Sequence, residues 1–324
     1  MNVRQQQSGI SLIELMVALT IGVVLIGGAF SVYINGRATY TLNETIARMQ
    51  ENANFALKYL ERDIQLAGLW GTHTATGAID GRATDVAATN NPIAGIPVDC
   101  GADWPIFLAR YVEGSNNEPP VWDCIGDVNV DYVENSDALA VRRVEPTPVA
   151  TADLQAGQVY IRTSLSPRGQ LFLGNVEPGG FADDARNFEL RAHAYYVSPN
   201  SLSSSDDVPV PALRRVELIN GPAMRDTDIV PGVENFQVQF GVRPAADGTA
   251  PGAVVYVNPD SDLLDTARVV SVRIWVLVRS EQPETGYQDN ATYTMGDLEF
   301  VPAANVRDHR RLLVTRTIDI RNRI

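Results

Sequence analysis

The sequence predicts an α+β protein: one long N-terminal α-helix packed on an antiparallel β-sheet head. Three observations carry this. From Ile10 to Ile34 the chain is apolar, with Glu14 as its only charged side chain. From Leu42 to Ile64 an apolar stripe, Leu42, Ile46, Met49, Ala53, Leu57, Leu60 and Ile64, recurs every third or fourth residue, the helical period. After about residue 133 come short strand-like runs separated by turn clusters. No helix-sized pattern lies between them, which favours antiparallel over parallel pairing.

The first run is long enough to span a bilayer, which takes about 20 apolar residues. It is longer than the apolar core of about 7–15 residues in a secretory signal peptide. Glu14 sets it apart from a plain anchor, because a carboxylate deep in a spanning helix costs about 2.5–3.5 kcal/mol on insertion scales. An intramembrane carboxylate therefore points to function. The helix is expected to continue as an amphipathic segment to Ala67, where Gly68 supplies a C-terminal stop, giving about 85 Å at about 1.5 Å per residue. Its polar faces carry Asn43, Glu44, Arg48, Glu51, Arg62 and Asp63. Gly22, Gly27 and Gly28 are weak helix points that permit bending or local melting, or close helix contact in lipid.

Residues 69–133 are rich in Gly, Pro, Asn and Asp and hold Trp70, Trp104 and Trp122 together with the two cysteines, Cys100 and Cys124. Two cysteines in a chain of exported character suggest a disulfide, the alternative being two separate buried thiols. The loop closed by such a bridge, about 25 residues, is worth about 3–4 kcal/mol when unstrained. The expected strands are Asp137–Val144, Gln158–Leu165, Gln170–Leu173, Glu189–Val197, Leu213–Ile219, Val233–Val242, Ala253–Val257, Arg268–Arg279 and Arg311–Ile320. Phe236, Val238 and Phe240 alternate with Gln237 and Gln239, as a half-buried strand requires, and Val270, Val272, Ile274, Val276 and Val278 share another face. Arg316 shares a face with Leu312, Val314, Ile318 and Ile320, so it needs a carboxylate partner or a bulge that turns it outward.

A net charge of -13 argues against nucleic acid as a partner, since phosphate binding needs a basic surface. Lys58 is the only lysine. No nucleophile elbow, P-loop, dinucleotide-binding or zinc-protease motif is present, so no catalytic residue, cofactor or metal is expected. His73, His193 and His309 are scattered and read as surface or structural residues. Asn258, Asp260, Asp262 and Asp265 have a calcium-loop flavour, but Leu263 and Val269 stand where such a loop needs glycine and glutamate, which favours a solvated acidic loop. The arginine-rich end, from Arg307 to Arg323, reads either as a docking surface for an acidic partner or as a protected edge strand, with the edge strand favoured.

Gly9, then Ile10-Ser11-Leu12-Ile13-Glu14 and the apolar span, resembles the class III leader of type IV prepilins. Isoleucine and serine stand at Ile10 and Ser11, where phenylalanine and threonine are commoner. "DIVPGVENFQVQFGV", "ARVVSVRIWVLVRSE" and "RRLLVTRTIDIRNR" resemble the PilW group of minor pilins and the related GspJ minor pseudopilins. The resemblance implies a pilin-like fold and cleavage between Gly9 and Ile10 by prepilin peptidase, with methylation of the new Ile10 amine. Glu14 would then dock on that amine in a neighbouring subunit. It also implies a leader at 1–9, a transmembrane and filament-core helix at 10–34, its amphipathic continuation at 35–67 and a head at 68–324. The implied partners are prepilin peptidase, other minor pilins, the major pilin, a tip adhesin and the inner-membrane assembly platform. The subunit would sit in the inner membrane with a periplasmic head, then in a pilus, near its tip. The alternatives are a minor pseudopilin of a type II secretion system and a membrane-anchored periplasmic enzyme or binding protein.

Overall fold

A computed structural model describes residues 9, 11–72, 76–83, 104–120, 131–166, 168–202, 209–244 and 253–322. Helix α1 spans Leu12–Leu66, two residues inside the expected start. It runs unbroken through Gly22, Gly27 and Gly28, none of which has a neighbour close to where a Cβ would stand. The chain divides into two units, residues 1–48 and residues 49–324.

In the first unit the side chains of the apolar run are exposed, including Leu12, Ile13, Val23, Val24 and Val32. The helix is long and apolar enough here to cross a membrane. Where the sequence turns amphipathic, the stripe becomes a seam: Met49, Ala53, Ala56, Leu57, Leu60 and Ile64 are buried. Gly68 adopts φ +73°, the left-handed conformation that ends a helix at low cost for glycine alone. The last turn of α1 is closed by the far end of the chain. The Asn322 amide donates to the carbonyls of Leu66 and Ala67 at 3.1 and 3.3 Å, and the Arg321 N–H donates to that of Gln65 at 3.0 Å.

Among the described residues the head contains two main sheets. The first has eight strands: β1 (Ile79–Asp80), β2 (Val112–Ser115), β3 (Ala138–Val144), β4 (Val159–Thr163), β5 (Gly169–Leu173), β6 (Arg186–Ser198), β7 (Ala212–Ile219) and β8 (Ala223–Pro231). Its hub is β6, whose N-terminal part pairs β4, whose middle pairs β3 and whose C-terminal part pairs β7. The second has four: β9 (Val233–Arg243), β10 (Val255–Val257), β11 (Arg268–Arg279) and β14 (Arg311–Asp319), in the order β10-β9-β11-β14. A small hairpin, β12 (Tyr293–Met295) and β13 (Leu298–Phe300), completes the set.

All nine expected strands are present to within a few residues. Five strands went unread. β8 reads Ala-Met-Arg-Asp-Thr-Asp-Ile-Val-Pro and, among the described residues, pairs with β7 alone; as an edge strand it needs no apolar alternation. β1, β2 and the β12–β13 hairpin are too short to leave a periodic signal. One pair departs from the antiparallel expectation: β1 lies parallel to β5.

The first sheet is covered on both faces, which is why β3 is buried at every residue. Ala138, Ala140, Val144, Leu190, Ala192, Ala194, Val216 and Leu218 pack with Trp70, Trp104, Ile106 and Leu108 from the irregular region. Arg142, fully buried on that side, fastens the region: it donates to the carbonyls of Trp104 and Arg110 and pairs with Glu113 at 2.7 Å. The other face of β3, β6 and β7 turns to α1, as the ion pairs of Asp63 with Arg143 and His193 and the hydrogen bond from Arg215 to Tyr59 show. Asp137 ties the two sheets together. Its carboxylate accepts the N–H groups of Asn117 at 2.9 Å and Val238 at 2.7 Å, while its own N–H donates to the Phe236 carbonyl at 2.8 Å.

In the second sheet Phe236, Val238 and Phe240 of β9 lie opposite Val276, Ile274 and Val272 of β11, and all six are buried. Arg316 stands opposite Ile274 on this apolar side and pairs with Glu61 of α1 at 2.8 Å, the carboxylate that its position requires. Gln237, expected on a solvent face, is buried and bonded to Asn117, Asn135 and Asn235.

Candidate functional site

The leader is represented by Gly9, which is exposed, and by the start of α1; Ile10 lies outside the described residues. Ser11 precedes the first turn as its N-cap. Its hydroxyl accepts the Glu14 N–H at 3.2 Å, and the Glu14 carboxylate accepts the Ser11 N–H at 3.1 Å and hydroxyl at 3.2 Å. This reciprocal pattern is a capping box, and it satisfies two donors that a helix start otherwise leaves orphaned. A carboxylate in the first turn is also favoured by the helix dipole. The apolar span thus holds an acid at its start and a hydroxyl that orients it. The sequence reading singled out Glu14 but not Ser11, although the Ser-x-x-Glu spacing carries the signal.

A second constellation lies in the head. Asp63, read from the sequence as a residue of a polar helix face, is instead buried against the sheet. It pairs with Arg143 of β3 at 2.8 Å and receives hydrogen bonds from His193 and Tyr195 of β6. The reason is geometric: Asp63 lies on the same helical stripe as Ala56, Leu60 and Ala67, all buried. Burial alone would raise its pKa, but His193, Arg143 and Tyr195 outweigh it and hold the carboxyl well below the usual range. Around this centre Glu217 pairs with Arg215 and Arg225, and its carboxylate stands 3.8 Å from His193. His193 is accordingly a structural residue locked between two acids.

His309 bonds the Ser280 carbonyl at 2.6 Å; His73 lies outside the described residues. Asp260, Asp262 and Asp265 are exposed beside the single helical turn Leu263–Thr266, with Asp265 paired to Arg110. Among the described residues no three His, Cys, Asp or Glu side chains are gathered as a metal site. Cys100 and Cys124 lie outside the described residues. At the arginine-rich end Arg310 binds Glu284, and Arg311 binds Glu234 and Asp289. Arg310 and Arg311 are thus paired within the head, on or beside β14, whose one strand partner among the described residues is β11.

A prepilin-type start, a helix able to cross a membrane and an α+β head define a type IV pilus-related protein. The comparisons narrow this class. Residues 194–322 match the family model of the type IV pilus-assembly protein W, PilW, and residues 4–30 match the prokaryotic N-terminal methylation motif. Together the two matches support a PilW-type minor pilin. The PilW match begins in β6, well before Asp228, from which the sequence resemblance was read. No curated protein and no solved structure matches the chain. The methylation motif implies processing by prepilin peptidase and association with pilus components, and the matched families are structural rather than enzymatic.

Proposed function

We propose that the chain is a minor pilin that is cut between Gly9 and Ile10, methylated on the new Ile10 amine and built into a type IV pilus. There it helps to nucleate assembly and forms part of the tip complex with other minor pilins and an adhesin. Before assembly the helix anchors it in the inner membrane with its head in the periplasm, and a Cys100–Cys124 disulfide staples the irregular region of the head. The observation that carries this reading is Glu14 inside an apolar run directly after Gly9 and Ile10.

Cleavage places a positive amine at the edge of the lipid, where an unpaired charge is costly. A carboxylate one helical turn along supplies a counter-charge of the right sign, most simply to the amine of a neighbouring subunit. The capping box shows that Glu14 is already oriented at the helix start, so docking exchanges one set of donors for another. We expect Glu14→Ala to leave cleavage largely intact and to lower incorporation strongly, measured by immunoblot of sheared pili against whole cells. Equal incorporation of variant and wild type contradicts the docking role.

A further inference from the structure

Beside the Asp63 cluster lies a cleft of about 490 Å³, walled by α1 on one side and by β3, β6 and β7 on the other. That volume falls in the range of about 300–1,000 Å³ common to ligand pockets. Its floor is internally neutralised, since Asp63 is held by Arg143 and His193, and Glu217 by Arg215 and Arg225. Its rim is not. Lys58, the only lysine of the chain, is exposed there with no ion pair among the described residues. Arg62, 72% exposed, reaches Glu145 only at 3.9 Å. Arg191 lines the same rim but is engaged by Glu145 at 3.4 Å and Glu189 at 3.1 Å, and the buried Nε–H of Arg215 has no hydrogen-bond acceptor among the described residues. An apolar wall adjoins these cations: Phe55 is 51% exposed, and its ring centroid lies 5.9 Å from that of Tyr59.

We propose that this cleft is a docking site for an acidic segment of a partner protein, one that presents a carboxylate beside an aromatic or large aliphatic side chain. The charge balance selects this chemistry. A cationic excess on a chain of net charge -13 is a local feature that attracts anions. Glu145 and Glu217 stand among the cations and repel densely charged polyanions, whereas a single carboxylate can pair with Lys58 and compete for Arg62, which Glu145 holds only at 3.9 Å. Phe55 and Tyr59 offer the adjacent side chain a dry surface.

The test uses the full chain in detergent micelles and a fluorescein-labelled peptide, acetyl-Gly-Phe-Glu-Phe-Glu-Gly-amide, read by fluorescence anisotropy. Saturable binding is expected. Replacing both glutamates of the peptide by glutamine, or Lys58 and Arg62 of the protein together by Glu, should weaken it by about tenfold or more. Rising salt should weaken it too. Both side chains are exposed, so the thermal melting curve of the variant should match the wild type; Lys58→Gln alone, with a smaller loss, serves if it does not. Absence of saturable binding, equal affinity for the glutamine peptide, unchanged affinity in a folded variant, or displacement by inorganic phosphate as efficient as by unlabelled peptide would each overturn the proposal. The assay reads neither cleavage nor filament assembly, so its failure leaves the pilin reading standing.

Discussion

Asp63 and Glu14 are carboxylates on one helix, and their surroundings give them opposite tasks. Asp63 is enclosed by Arg143, His193 and Tyr195, so its charge is consumed in joining α1 to the sheet. Glu14 is exposed and, among the described residues, its carboxylate is bonded to Ser11, so its charge can be redirected. Removing one member of a buried ionic cluster leaves the others uncompensated, at a cost of about 3–5 kcal/mol. We therefore expect Asp63→Asn to lower the melting temperature of the full chain at pH 7. The pH dependence has a definite sign. The Asp63 carboxyl is depressed in the folded state, so its stabilisation is fully present above the ordinary carboxylate pKa of about 4 and is lost as pH falls below it. The variant should lack that part of the acid-induced loss, and thermal unfolding across the acid range checks both statements. Equal stability of the two proteins at pH 7 contradicts the structural role. Glu14 was legible in the sequence because a charge in an apolar run stands out. Asp63 was not, because in an amphipathic segment a charge is ordinary and only the sheet residues opposite it, Arg143 and His193, disclose burial.

Elements were legible where burial imposes a period. The strands β9 and β11 alternate because one side of each faces the core, and both were read from that alternation. The edge strand β8, with Arg225, Asp226, Thr227 and Asp228 in succession, is held by its ladder to β7 and so carries no such signature. The end of α1 was legible from Gly68, and its role can be tested there. At φ +73° an alanine is strained, and its Cβ would stand 3.1 Å from the Tyr111 ring. Gly68→Ala should destabilise the head by about 1–2 kcal/mol, seen as a lower denaturation midpoint with an unchanged slope. An unchanged or higher midpoint contradicts the assigned helix stop. The closure of that last turn by Arg321 and Asn322 could not be read in advance, since Asn322 and Leu66 lie 256 residues apart in the sequence.

At the scale of the whole molecule, the sequence is written for two environments. The first unit exposes an apolar surface that water does not tolerate but lipid or packed helices do, and the second buries a conventional core between a helix, two sheets and an irregular region. The class of protein followed from the start of the chain, where a leader, an acid and an apolar span occur in fixed order. The contents of the head, above all its ionic cluster and cationic cleft, follow from pairings over 80 to 132 residues that no local pattern records. The claim on which the account rests is that the chain is processed at Gly9. It is tested most directly by the intact mass of the protein isolated from cells with an active prepilin peptidase. The account predicts a chain that begins at a methylated Ile10; a chain that retains residues 1–9 would contradict it.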